Sequence, residues 1–496
     1  MARIPVESFV LGPAQGATLQ RQVQDAVTRG VLAGRMRPGD RMPSSRALAR
    51  HLGLSRITVT LAYADLVAND YLVSRGRSGT FVSPNAPTPA PVPRAARPAR
   101  GGVDWSRALG QRFPDPAPLA RPADWRRYPY PFIYGQTDQR LFDHGNWRRC
   151  ALQALGSRDF GPLSEDAYAR DDPYLVEQIT TRILPRRGID ARPEEVLVTM
   201  GAQNALWMAA QVLLTQRRTA VMERPCYPAL REILQLGRCI AQEVAVDGGG
   251  LPPGQVPEGA DVLFVTPSHH CPTGVTMPLA RRRALLALAE RREMLIVEDD
   301  YEFELGFVTP PLPALKSLDR TGRVIYIGSF AKSLFPGLRL GYLVAAEPVI
   351  RELRALRGLV LRHVPGHVQR TAAYFLAQGH WDAQVARMTR AFRDRRAAAQ
   401  AAMDTHGLAP ARANAFGGSS FWMRAPEGVR AIDLADRLRA RGVLIEPADA
   451  FFSDPRPGPF YRLAYSSIAS EDIPEGIARI ARETARLAGS AQAVWP

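Results

Sequence analysis

Apolar positions along the chain fall into two regimes. In residues 18–34, Leu19, Val23, Ala26 and Val27 share one helical face and Gly34 supplies a stop, which predicts a helix. Ser44 or Ser45 can cap a second short helix through Leu52. Ser55, after the Gly53-Leu-Ser turn, can cap a third helix that ends near Asn69. Val59, Ala62 and Leu66 recur at core spacing in that third helix, leaving Arg56, Thr60 and Tyr63 for another face, with Thr58 near its start. Residues 71–73 and 80–82 then read as two strands around Arg75-Gly-Arg-Ser-Gly79. Two short helices on a glycine turn, followed by a hairpin, make a winged helix-turn-helix.

Residues 83–101 carry no apolar period, and recurring proline keeps them extended, as in a semi-stiff linker. Arg94, Arg97 and Arg100 lie in it, and charge in a linker is usually solvated. Residues 103–128 are rich in Pro and Arg and read as irregular. Beyond them the second regime begins. Short, continuously apolar segments at 196–199, 220–222, 262–266, 294–297 and 324–327 alternate with longer helical patterns. Continuous apolar strands separated by helices predict a mostly parallel sheet covered on both faces. The expected organisation is a head at 12–83, a linker at 84–127 and a large α/β domain at 128–490.

Composition narrows the function classes. With 496 residues, two or three domains are expected. No run of about 18 apolar residues exists and the N-terminus has no apolar signal core, so no membrane span and a cytoplasmic location are expected. Four cysteines without paired spacing suit a reducing compartment and weigh against a zinc site. Net charge is +16, and residues 1–103 hold 14 Arg against 5 acidic residues. A basic terminal module is the electrostatic footprint of a nucleic-acid binder.

Ligands of parallel sheets sit at the carboxyl ends of the strands, and four groups of candidates occur there. Free amides at residues 201–203, opening a helix, offer an anion site. Tyr227 could stack on a planar cofactor. Glu298-Asp-Asp-Tyr301 offers Asp299 or Asp300 as partner to a ring nitrogen. The fourth is Lys332, one of only two lysines in an arginine-rich chain, the other being Lys316, which reads as a surface residue. Lysine can form a Schiff base where arginine cannot, and Ser329 and Arg339 nearby suit a phosphate. The adjacent His269 and His270 have no further metal-ligand pattern and read as loop residues.

Gly39-Asp-Arg-Met-Pro-Ser-Ser-Arg46, Leu54-Ser-Arg-Ile-Thr-Val59 and Ser78-Gly-Thr-Phe-Val82 resemble the winged helix of GntR-type bacterial regulators. That resemblance implies DNA contacts by Arg46, Arg56 and Thr58, with Arg75 and Arg77 on phosphates or in the minor groove. The ordered series Gly201-Ala-Gln, Tyr227, Pro272-Thr-Gly274, Asp299-Asp-Tyr, Ser329-Phe-Ala-Lys332 and Arg339 resembles fold-type I pyridoxal phosphate enzymes of the aspartate aminotransferase superfamily. Together the two modules resemble MocR-type regulators. The resemblance implies a large fold-type I domain with a smaller C-terminal α+β subdomain and pyridoxal 5'-phosphate as cofactor. By position, Lys332 would carry the internal aldimine, Asp299 the ring nitrogen and Tyr301 the ring hydroxyl. Ala202, Gln203, Ser329 and Arg339 would hold the phosphate, Tyr227 would stack on the ring, and Arg462 would grip a carboxylate. It further implies a homodimer, a double-stranded DNA operator, and a small amino acid or amine effector that exchanges with Lys332. One departure counts against ordinary transamination: Cys271 stands where aminotransferases have Asn before Pro-Thr-Gly, and a thiol is a poor donor. The alternative is a working aminotransferase that carries a DNA-binding domain.

Overall fold

The structure, a computed structural model, describes residues 3–11, 16–87, 103–110, 113, 122–167, 169–412, 417–453 and 458–492. The chain divides into two compact units, Met1–Arg112 and Phe113–Pro496. Arg94, Arg97, Arg100 and most of the expected linker lie outside the described residues.

In the first unit, helices Leu19–Leu32, Ser45–Leu52 and Arg56–Ala68 start at Thr18, Ser44 and Ser55, whose hydroxyls accept from Arg21, Ala47 and Thr58 backbone N–H groups. Gly53 ends the second helix in the left-handed conformation (φ 67°), which lets the third begin two residues later. Strands Leu72–Ser74 and Thr80–Val82 pair antiparallel as the wing. Val23, Val27, Leu48, Val59, Ala62, Leu66 and Val82 form the core. Ile4 and Phe9, ahead of the expected start at residue 12, join it. Tyr63 departs from the expectation. It is buried, and its hydroxyl donates to the Pro43 carbonyl at 3.0 Å, so it packs the helices together and leaves the outward face.

The second unit is built on a seven-stranded sheet. Its order is Val196–Thr199, Gly341–Val344, Val324–Ser329, Leu295–Asp300, Val262–Val265, Thr219–Arg224, Ile240–Ala245. All neighbours are parallel except Gly341–Val344, which runs antiparallel to both of its partners. Side chains alternate across the sheet. Leu197, Met222, Phe264, Ile327 and Leu343 pack on one side with residues of helices Ala202–Leu213, Pro228–Leu236 and Glu347–Leu361. On the other side, Val221, Leu263 and Ile296 meet helix Leu279–Arg291, while Val198, Tyr326 and Val344 meet helix Gly366–Ala377. Burial on both faces is why these strands carry no period-two signal.

A smaller antiparallel sheet, Ser420–Arg424, Phe460–Ala464 and Glu446–Pro447, packs with helices His380–Thr405, Ala431–Arg439 and Ile473–Gln492. The segment expected to be irregular holds a short helix, Trp105–Ala108, capped by Asp104, and a turn at Trp125–Arg127. Lys316 is half-buried, with its ammonium donating to the Val324 carbonyl at 2.9 Å, so it ties a helix to a strand and is no free surface group.

Candidate functional site

The reversed strand creates the site. Gly341 lies opposite both Thr199 and Ser329, so this strand enters the sheet where two others leave it. A Cβ at Gly341 would lie 2.9 Å from the Gly328 carbonyl and 3.0 Å from Gly201 Cα, which demands glycine there. Gly201 (φ 81°) turns the Val196–Thr199 strand into helix Ala202–Leu213 and leaves the first helical amides free. Arg339, itself left-handed (φ 53°), lays its guanidinium beside Gly201 and donates to the Met200 carbonyl at 3.2 Å. Ala202, Gln203, Ser329 and Arg339 therefore border one cavity of about 270 Å³.

Asp299, Tyr301, Tyr227, Lys332 and Arg462 line the same cavity, so the structure brings together all nine of the residues read from sequence. The strand pleat decides between the two aspartates. Asp299 faces the cavity, and its Oδ1 is buried with no hydrogen-bond partner. Asp300 points the other way, where Oδ2 accepts from Arg187 Nε at 2.7 Å and from Tyr326 hydroxyl at 2.9 Å. Burial, with Asp300 and Glu223 nearby, pushes the Asp299 carboxyl up to about 7. Tyr227 hydroxyl donates to Gln203 Oε1 at 3.2 Å, which ties it to the start of helix Ala202–Leu213.

Lys332 is desolvated, and burial lowers its amine to about 8, with Glu302 opposing and Arg462 reinforcing the shift. Its Nζ lies 3.8 Å from the centroid of the Tyr134 ring, and Arg462 Cζ lies 3.7 Å from the same centroid. At such distances both cations lie against the face of the phenol ring and not at its edge. Tyr134 hydroxyl donates to Glu302 Oε2 at 2.9 Å; Ser419 hydroxyl donates to the other oxygen of Glu302. Arg462 sits in register with Glu446 on the adjacent strand and pairs with it through Nε. Tyr134, Glu302 and Glu446 were missed from sequence. Tyr134 and Glu446 come from segments far from the strand-end motifs, and only Glu302, directly after Tyr301, stood next to a motif.

Cys271 also lines the cavity, its thiol pushed up to about 12 by burial, hence neutral. His269 Nε2 is 3.2 Å from Glu302 Oε2, and His270 Nδ1 is 2.7 Å from the Thr273 hydroxyl. Burial depresses both rings, His270 to about 3. Among the described residues no group of His, Cys, Asp and Glu is arranged to hold a metal ion. None of the helices in those residues is long and apolar enough to cross a membrane.

On the head, Arg46, Arg56, Arg75 and Arg77 are exposed, and Arg75 lies over the Phe81 ring at 5.0 Å. Thr58 is half-buried and shares a 2.9 Å hydrogen bond with the Ser55 hydroxyl, which makes it part of the helix cap.

Residues 19–82 match the family of bacterial regulatory proteins described as gntR, and residues 154–480 match aminotransferase class I and II. The chain is 59% identical over 483 residues to the HTH-type transcriptional regulator TauR of Rhodobacter capsulatus, covering 97% of this chain and 99% of the relative. It is 32% identical to the probable rhizopine catabolism regulatory protein MocR of Rhizobium meliloti, over 78% and 77% of the two chains. The chain belongs to the MocR-type subfamily of GntR regulators. As a MocR-type protein it is a DNA-binding transcriptional regulator with an aminotransferase-like domain. That domain is similar to LysN, an α-aminoadipate aminotransferase from Thermus thermophilus complexed with N-(5'-phosphopyridoxyl)-L-leucine. The TM-score is 0.68 at 27% identity, over 78% of this chain and 100% of LysN. Two-module MocR-type architecture thus accounts for both the basic head and the strand-end cavity.

Proposed function

We propose that this MocR-type regulator binds pyridoxal 5'-phosphate at Lys332 and senses a small amino compound there, passing occupancy on to operator binding. The observation that carries the reading is Asp299 Oδ1, a buried carboxylate oxygen without a donor in the same cavity as a desolvated lysine. A protonated pyridine nitrogen is the donor this oxygen lacks. Gly135 (φ 74°) adds support: its backbone passes so close that a Cβ there would lie 2.6 Å from Lys332 Nζ and displace the amine.

When bound, pyridoxal phosphate supplies a carbonyl carbon that condenses with primary amines and a ring that withdraws electrons. The chain's own residues do the rest. Ala202 and Gln203 amides, Ser329 and Arg339 would hold the phosphate, Tyr227 would stack on the ring, and Tyr301 would meet the ring hydroxyl. Lys332, with its amine near 8, is a usable nucleophile and proton acceptor at neutral pH. Arg462 keeps its Nη donors for an anionic group of the effector while Glu446 holds Nε. On the DNA side, Arg46 and Arg56 contact the operator with Thr58 at the helix start, and Arg75 and Arg77 meet phosphates from the wing. A homodimer would present two such heads to repeated half-sites. The domain limits proposed are the expected head at 12–83, extended at its start to take in Ile4 and Phe9, with a linker at 84–127 and an effector domain at 128–490.

The test is a titration of the cofactor-loaded protein with amino acids and ω-amino acids while operator binding and the cofactor's visible absorption are followed. A change in both, absent from Lys332→Ala, supports sensing. Steady turnover of an amino donor with a 2-oxo acid would favour the alternative, an active aminotransferase with a DNA-binding domain. Absence of any cofactor absorption after loading would end the cofactor assignment.

A further inference from the structure

Helix Arg56–Ala68, the second helix of the helix-turn-helix, carries an apolar stripe on the side turned away from its core. Ile57 is 72% exposed and Leu61 49% exposed, and Ala64 continues the row. These positions follow the i, i+4, i+7 spacing of one helical face. The core face is separate: Val59, Ala62, Tyr63 and Leu66 are buried.

Most polar side chains around the stripe are already engaged. Thr60 hydroxyl donates to the Arg56 carbonyl at 2.9 Å, and Thr58 and Ser55 hydroxyls share one hydrogen bond. Asp65 accepts from Gln20 and Gln24, each at 2.6 Å. Arg56 remains as the polar reader at the helix start. A second copy of this head is a poor occupant for the stripe, because residues 1–87 hold 11 Arg against 5 acidic residues. A polyanion fits that charge, and the major groove offers an apolar group of matching size, the C5-methyl of thymine.

We infer that Ile57 and Leu61 read thymine methyl groups in the operator, so that Arg56 and this stripe together set base preference. The stripe contributes specificity through burial of methyl groups, and the flanking arginines contribute sequence-independent affinity.

The experiment uses the full-length, cofactor-loaded protein. Bound duplexes are selected from a random pool, and each thymine of the selected site is then replaced singly by deoxyuridine, which lacks only the methyl. Affinity should fall about 4-fold at one or two positions per half-site, the worth of burying one methylene-sized group. Ile57→Ala and Leu61→Ala should each abolish that sensitivity at its own position while retaining binding at low salt. A flat deoxyuridine series would overturn the inference. So would sensitivity unchanged in both variants, or complete loss of binding by a variant that melts like the wild type, since methyl readers contribute only a few-fold each.

Discussion

Asp299 should cost the cofactor-free protein stability, and the cost should depend on pH in a defined sense. Its carboxyl is pushed up to about 7 in the folded chain, against a model-peptide value of about 3.9 when unfolded. Below pH 4 the group is protonated in both states and contributes nothing. Between about pH 4 and 7 the unfolded chain has released its proton while the folded one retains it, so stability falls by about 1.4 kcal/mol per pH unit. Above pH 7 the loss levels off, at roughly 4 kcal/mol as a ceiling, because water in the cavity relaxes part of the penalty. Asp299→Asn keeps the shape and removes the titration. Urea unfolding of cofactor-free wild type and variant from pH 4 to pH 8 should give a difference that swings toward the variant by several kcal/mol. Any constant offset from the buried amide cancels in that comparison, and so does the titration of Glu298 and Glu304, which are not among the groups that raise Asp299. A difference that stays flat with pH, or swings toward the wild type, would refute the reasoning. Loading pyridoxal phosphate should stabilise the wild type more than the variant at pH 8, because the ring nitrogen meets a charge only in the wild type.

Asp300→Ala should behave in the opposite way, destabilising by about 3–5 kcal/mol in urea unfolding, because it strands the buried Arg187 guanidinium. Glu302→Gln should move the Lys332 amine below 8, since Glu302 is the largest of the groups that hold it up; the midpoint of the pH–rate profile for cofactor uptake should shift to lower pH. Arg46→Ala and Arg56→Ala should each weaken operator binding. For a phosphate contact, the slope of log affinity against log salt should also drop by about 1.

The sequence carried the fold far because buried strands and capped helices leave local signatures. Ser44 and Ser55 start the helices predicted for them, and the apolar runs at 262–266 and 324–327 are strands buried on both faces. The edge strand Ile240–Ala245 left no such mark: half-solvated, with Gln242 and Glu243 inside it, it reads as polar chain. Strand Gly341–Val344 was not read from sequence, and nothing in Gly341-Tyr-Leu-Val344 distinguishes an antiparallel strand from a parallel one. In the site, residues at strand ends were legible because that edge is where such sheets bind ligands. Asp299 and Asp300 are adjacent and identical in chemistry, and only the pleat assigns one to the cavity and the other to Arg187. Tyr134 and Glu446 owe their places to long-range packing, which has no local signal. Tyr63 was misassigned because a tyrosine can serve a core or a groove, and its hydroxyl found the Pro43 carbonyl.

The reversed strand has a consequence for the order of assembly. Among the described residues, Val196–Thr199 is an edge strand whose only neighbour in the sheet is Gly341–Val344. During synthesis it must wait on the order of 140 residues for its partner, a loop closure whose entropy is recovered only when the sheet is finished. The helix amides after Gly201, Ser329 and Arg339 converge at that late junction. A chain in which Gly341–Val344 has not yet paired with both Val196–Thr199 and Val324–Ser329 therefore lacks this corner, and a phosphate bound there would report that these three strands have come together.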